Sequence, residues 1–200
     1  MKILTICFVA ILLIVPVGCS KKNPTGNTSI VPDYYPLSVG SWWQYSGTMI
    51  RVDKDSIIGT VAFPGNITCY CVFRRWMIDT VLGDTFTTYI SKTAHEVRRY
   101  YILGDTAFYS VAMRFPIAVG NAWAVRVYDS IQYYDSMRVI GTGNVSVPAG
   151  LFTGCYRILH KYYYGREDPG TSELWFAPNV GFVYSPGIAD TTRLINYQIK

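Results

Sequence analysis

Three cysteines, two histidines and two arginine doublets carry most of the reactive chemistry in the body of this chain. Cys69 and Cys71 sit two apart in TCYCVFRRWMI, and Cys155 opens CYRILHKYYY. On a strand Cys69 and Cys71 share a face about 6.6 Å apart, near the edge of disulfide geometry. Three thiols cannot all pair. The expectation is a bridge from Cys155 to Cys69 or Cys71, with three free thiols as the alternative. His160 lies five residues from Cys155, hence on the opposite face of an extended strand, and no C-x-x-C or H-x-x-x-H spacing occurs. No metal and no cofactor are expected.

Acyl transfer needs a nucleophile, a base and an orienting group. His95 and His160 are the only histidines, and no G-x-S-x-G stretch is present, so no catalytic residue is assigned and the chain reads as a non-enzyme. Asp53 and Asp55 share a strand face and read as a solvated strand end, while Glu167-Asp168 reads as turn chemistry before Pro169-Gly170. Gly141-Thr142-Gly143 lacks the helix that phosphate binding requires.

The arginine doublets are more suggestive. In Arg74-Arg75-Trp76 and Arg98-Arg99-Tyr100-Tyr101, neighbours on a strand point to opposite faces. Arg75 shares a face with Cys71 and Phe73, and Arg74 with Tyr70, Val72 and Trp76. One arginine of each pair could line a concave surface and meet an anionic headgroup or an acidic sugar. The candidate ligand-facing residues are Trp42, Arg75, Trp76, Arg99 and Tyr163. The competing reading is cation–π packing and half-buried strand tyrosines.

The elements that must position these residues are strands. The chain is rich in tyrosine, with 17 residues, and its apolar positions alternate in TFTTYIS, EVRRYYI, TAFYSVA, AWAVRVY and TRLINYQI. Turn signals separate them, among them Pro64-Gly65, Gly83-Asp84, Gly104-Asp105 and Pro186-Gly187. No helical period appears after residue 34. The expected fold is all-β, an antiparallel curved sheet forming an open barrel or a sandwich.

PLSVGSWW (36–43) recurs as PIAVGNAW (116–123), 80 residues later, and CYCVF (69–73) aligns with CYRIL (155–159) at an offset of 86. GTVAFPG (59–65) aligns with GNVSVPA (143–149) between them. The order of matches predicts two tandem units, 34–113 and 114–200, in one continuous body, with chance likeness between hairpins as the alternative. Trp43 has a counterpart at Trp123 and reads as a structural plug. Trp42 aligns with Ala122 and reads as the ligand-facing member of the pair.

The N-terminus bears on location. Lys2 precedes an apolar run over residues 3–17, too short to span a bilayer and of the length of a secretory leader. Val17-Gly18-Cys19 resembles the lipobox of bacterial lipoproteins, which implies cleavage of 1–18 and diacylation of Cys19; an uncleaved anchor is the alternative. Ser20 in place of Asp leans toward the outer membrane. Residues 19–33 read as a lipid-anchored flexible tether. Loss of Lys2 lowers the net charge from +5 to +4, mild enough to exclude a nucleic-acid role.

YYPLSVGSWWQY, VPAGLFTGCYRI and LWFAPNVGFVY together resemble a pattern in uncharacterised bacterial lipoproteins. A looser likeness is to LolA and LolB, half-barrel lipoproteins that hold acyl chains in a concave sheet. The resemblance carries no activity over, and the likeness to LolA and LolB is one of fold alone. The leading reading is an envelope lipoprotein that binds or scaffolds, its partner a hydrophobic or amphipathic ligand or an envelope protein. A glycan-binding module using exposed Tyr and Trp is the second reading, and an enzyme the third.

Overall fold

In Trp42–Ser46 (β1), Trp43 and Tyr45 are buried while Trp42 and Gln44 are half-buried, the period of two that an amphipathic strand requires. Eleven strands follow: β2 (Arg51–Phe63), β3 (Ile67–Ile78), β4 (Val81–Lys92), β5 (Glu96–Leu103), β6 (Thr106–Arg114), β7 (Ala122–Tyr128), β8 (Tyr133–Val147), β9 (Gly150–Tyr164), β10 (Gly170–Ala177), β11 (Gly181–Ser185) and β12 (Thr192–Gln198). The computed structural model describes residues 31–48, 51–63, 65–78, 81–103, 106–128, 133–164, 170–187 and 191–200. The leader, Cys19 and the tether up to residue 30 lie outside the described residues, as does the Glu167-Asp168 pair.

The fold is all-β, as the alternating pattern predicts. All twelve strands join one antiparallel sheet, ordered β6-β5-β4-β3-β2-β1-β12-β11-β10-β9-β8-β7, curved into a nearly closed barrel. Each half is a meander, and the β1–β12 ladder joins them, from Trp42 opposite Gln198 to Ser46 opposite Arg193. At the other junction β6 and β7 end the order, with no ladder between them among the described residues. Trp123 crosses that seam: its indole Nε1 donates to the Val111 carbonyl at 3.2 Å. Ile57, Val97, Met113, Val139, Ile158, Val183 and Leu194 are almost fully buried. Each such side chain contributes about 1.5–3 kcal/mol of burial. Pro32–Lys200 is one compact unit with its own core, so it contains what it needs to fold without the leader.

The two Val-Gly stretches found in the sequence make the same turn. Gly40 and Gly120 both have left-handed φ, +89° and +95°, where a Cβ is disfavoured. Gly40 N donates to Ile57 O and Gly120 N to Val139 O; Ser41 N donates to Ser38 O and Asn121 N to Ala118 O. Each turn delivers a buried tryptophan one residue into the next strand, Trp43 and Trp123.

The cysteines correct an expectation. Cys69, Cys71 and Cys155 are all free thiols. Cys69 and Cys71 lie on β3 and Cys155 on β9, six places apart in the sheet in either direction round the barrel. A disulfide needs Cα atoms within about 7 Å, and strands so far apart round the sheet do not offer that. Burial raises the pKa of Cys69 and Cys155, which makes both poor thiolates.

Candidate functional site

Strand alternation turns one side chain in two toward the inside of the barrel, and there they enclose a cavity of about 480 Å³. That lies within the roughly 300–1,000 Å³ of small-molecule sites. Much of the lining is apolar: Leu37, Trp43, Val72, Ala112, Val125, Met137, Leu174, Phe176, Val180 and Phe182. Trp43 Nε1 donates to Val180 O at 2.7 Å, so this large ring is satisfied and immobilised in the wall.

One side of the cavity is made by chain that precedes the first strand. Tyr35, Pro36 and Leu37 line it. The stretch is fastened at several points. Lys92 of β4 reaches both carboxylate oxygens of Asp33 at 2.5 Å and the Tyr35 carbonyl at 2.9 Å. Asp33 N donates to Asn179 Oδ1 at 2.9 Å, and Tyr34 donates its hydroxyl proton to Gly154 O on β9 at 3.1 Å. Tyr35 stacks on Phe176 at 6.4 Å. Because β4 and β9 are well separated in the sheet order, residues 33–37 span the barrel from wall to wall. Asp33, expected at the end of a loose tether, already belongs to the fold.

Polar groups enter the lining at a few inward positions. Arg74 on β3 and Asp55 on β2 form a two-point ion pair, Nε to Oδ1 and Nη2 to Oδ2, both at 2.6 Å. The hydrogen bonds that Arg74 donates to Asp55 hold its pKa well above the usual value. Tyr45, buried beside them, has its pKa pushed well up, first by burial and then by the Asp55 charge. Arg99 on β5 lies beside the phenols of Tyr35 and Tyr101; burial alone would lower its pKa, but these phenol oxygens more than offset it and the net shift is upward. Across the cavity Asp135 of β8 meets His160 Nε2 in a short hydrogen bond. Ser172 Oγ stands 3.4 Å from His160 Nδ1.

Asp135, His160 and Ser172 supply the residue types of a Ser-His-Asp relay. The Ser–His contact, however, is longer than a normal hydrogen bond. The geometry orients a histidine. Among the described residues no three His, Cys, Asp or Glu side chains converge as a metal site.

Of the five ligand-facing candidates, the cavity takes one, Arg99. Trp42 is on the outer face, where its Nε1 donates to Gln198 Oε1 at 3.0 Å and Lys54 Nζ lies 4.4 Å above its ring. The inward tryptophan is Trp43: the plug is also the lining. Arg75 is exposed on the outside and its neighbour Arg74 faces in, the reverse of the expected choice. Trp76 packs over Gly83 of β4, so closely that a Cβ there would come within 2.6 Å of the ring. Tyr163 is half-buried on β9, opposite Tyr134, and does not line the cavity. Asp55, taken as part of a solvated strand end, is an inward residue with a partner. The residues the sequence reading passed over are Tyr35, Asp55, Arg74, Asp135 and His160. For Asp135 and His160 the available signal was a polar residue in phase with Met137 and Val139, or with Ile158, on an otherwise apolar face.

Compared with known proteins, the chain matches no family model, no curated protein and no solved structure. Among the described residues no helix is long and apolar enough to cross a membrane.

Proposed function

We propose that this chain is an exported lipoprotein, anchored through Cys19 in the outer membrane of the cell envelope, whose barrel holds one hydrophobic or amphipathic small molecule. The observation that carries the reading is the cavity: about 480 Å³, mostly apolar, with a few fixed polar groups, and enclosed by the strands together with residues 33–37. The Val17-Gly18-Cys19 stretch and the likeness to bacterial lipoproteins support the location. The role we propose is non-enzymatic: the Ser172–His160 contact, at 3.4 Å, is longer than the hydrogen bond that joins a nucleophile to its base.

The glycan reading draws less support. It needs a flat, exposed aromatic row, whereas Phe63, Tyr89, Tyr100 and Tyr109 pack on one another with centroids 5.1–5.9 Å apart and planes tilted by 46–57°. Those contacts use the ring faces a sugar would occupy.

The test is native mass spectrometry of the 23–200 chain purified from an envelope extract. A mass increment of one small molecule, released by organic solvent, is the expected result; a clean apo mass counts against the carrier. Separately, Cys19→Ser is expected to release the full chain from membranes, and continued retention would sink the lipid anchor.

A further inference from the structure

Five charged or chargeable side chains besides tyrosine line the cavity, and four of them are matched: Arg74 with Asp55, and His160 with Asp135. Arg99 is the fifth. Its partners are the phenols of Tyr35 and Tyr101, and among the described residues no carboxylate forms an ion pair with it. A guanidinium carries five N–H donors in a planar fork and cannot shed its charge, so two neutral acceptors leave it short of both acceptors and countercharge. A charge in a partly enclosed, low-dielectric space is costly until an opposite charge reaches it. The matched groups cannot supply one without breaking their own pairs.

The surroundings of Arg99 select the shape of the missing partner. Arg99 shares the cavity with Leu37, Met137, Phe176 and Phe182, so whatever meets the guanidinium also meets apolar walls. Tyr35 belongs both to the polar end, through its hydroxyl, and to the apolar end, through its stack on Phe176. We propose that the cavity binds a single-chain amphiphile with a carboxylate head, the carboxylate held two-point by Arg99 and flanked by the hydroxyls of Tyr35 and Tyr101, the alkyl chain lying on the apolar lining. This inference rests on the carrier reading and specifies its ligand class.

The test is isothermal titration of the 23–200 chain at neutral pH with decanoate, 1-decanol and acetate. Decanoate is expected to bind one to one and at least about tenfold more tightly than 1-decanol, the size of one hydrogen bond to a charged group. Acetate is expected to bind far more weakly than either. Arg99→Gln is expected to bring decanoate down to the affinity of 1-decanol, and Arg99→Lys to restore part of the gap. The comparison of decanoate with 1-decanol needs no variant, so a misfolded Arg99→Gln does not blunt it. Equal affinity for decanoate and 1-decanol overturns the carboxylate anchor and leaves the carrier reading standing. A decanoate preference that survives Arg99→Gln removes the role from Arg99, and acetate binding as tightly as decanoate removes the alkyl chain. No binding by decanoate or 1-decanol overturns both readings.

Discussion

Trp43 and Trp123 sit one residue inside strands that begin after the same Val-Gly turn, yet they close the barrel in different ways. Their local structure is alike: a left-handed glycine, matching turn hydrogen bonds, a buried indole whose N–H finds a main-chain carbonyl. Their settings are not. β1 is hydrogen-bonded on both sides, to β2 and β12, and Trp43 looks into the cavity. Among the described residues β7 has a ladder with β8 alone, and Trp123 reaches over the open seam to β6. One short motif therefore supplies a turn and an anchored ring, and its place in the sheet decides whether that ring becomes cavity wall or clasp.

Replacing the two rings breaks the comparison most directly. Trp43→Ala and Trp123→Ala are each expected to cost about 3–5 kcal/mol in urea unfolding. Hydrogen exchange should tell them apart. With Trp123→Ala, protection is lost selectively in β6 and β7, which have no ladder between them; with Trp43→Ala, the β1–β12 ladder keeps its protection relative to the rest. Equal loss at both junctions would mean that Trp123 is not the clasp.

An inner and an outer ion pair extend the contrast at smaller amplitude. Asp55→Asn leaves Arg74 facing the cavity without its carboxylate and is expected to cost about 1–3 kcal/mol, read by urea titration. Glu173 and Arg157 form the same two-point fork on the outer wall, at 3.2 and 2.8 Å. The two glycines test the likeness instead of the difference. Gly40→Ala and Gly120→Ala place a Cβ at left-handed φ and should each cost about 1–2 kcal/mol, since the added carbon meets only the flexible Lys200 side chain, at 3.4 Å, beside Gly40 and open space beside Gly120. Clearly unequal costs would show that the turns are not equivalent.

Glu173→Gln is expected to have the smallest effect, about 0.5 kcal/mol at pH 7, because the pair is partly exposed and screened. The hydrogen bond from Arg157 lowers the Glu173 pKa. The unfolded chain therefore binds the proton more readily, and the stabilisation is present above the ordinary carboxylate range and lost as pH falls through the lowered value. Wild type and variant should differ in thermal midpoint at pH 7 and converge as pH falls below the ordinary carboxylate range.

The strand content was legible because alternation is a local property: Trp43, Tyr45, Val72 and Ile158 announce the inner face without any partner in view. The turn-plus-indole unit was legible because it is short and occurs twice. What alternation cannot give is which of two faces is concave when both carry aromatics. Arg75 and Trp42 were chosen over Arg74 and Trp43 for that reason: burying an arginine looks unfavourable until Asp55, across the β2–β3 ladder, is known to meet it. The spanning stretch at 33–37 was hidden for another reason. Its contacts to Lys92, Gly154 and Asn179 lie 57 to 146 positions away in the chain, and no periodicity encodes them. The cysteine bridge failed because β3 and β9, far apart in the chain, also lie six places apart in the sheet, which no local pattern encodes.

The most direct test of a ligand-holding barrel is equilibrium titration of the 23–200 chain with the apolar fluorophore 1-aminoanthracene, comparing wild type with Ala112→Phe and Trp42→Ala. A single site is expected in the wild type, weakened at least about tenfold by Ala112→Phe, which puts a ring into the cavity, and unchanged by Trp42→Ala on the outer wall. Binding untouched by Ala112→Phe, or lost with Trp42→Ala, would contradict a ligand-holding barrel.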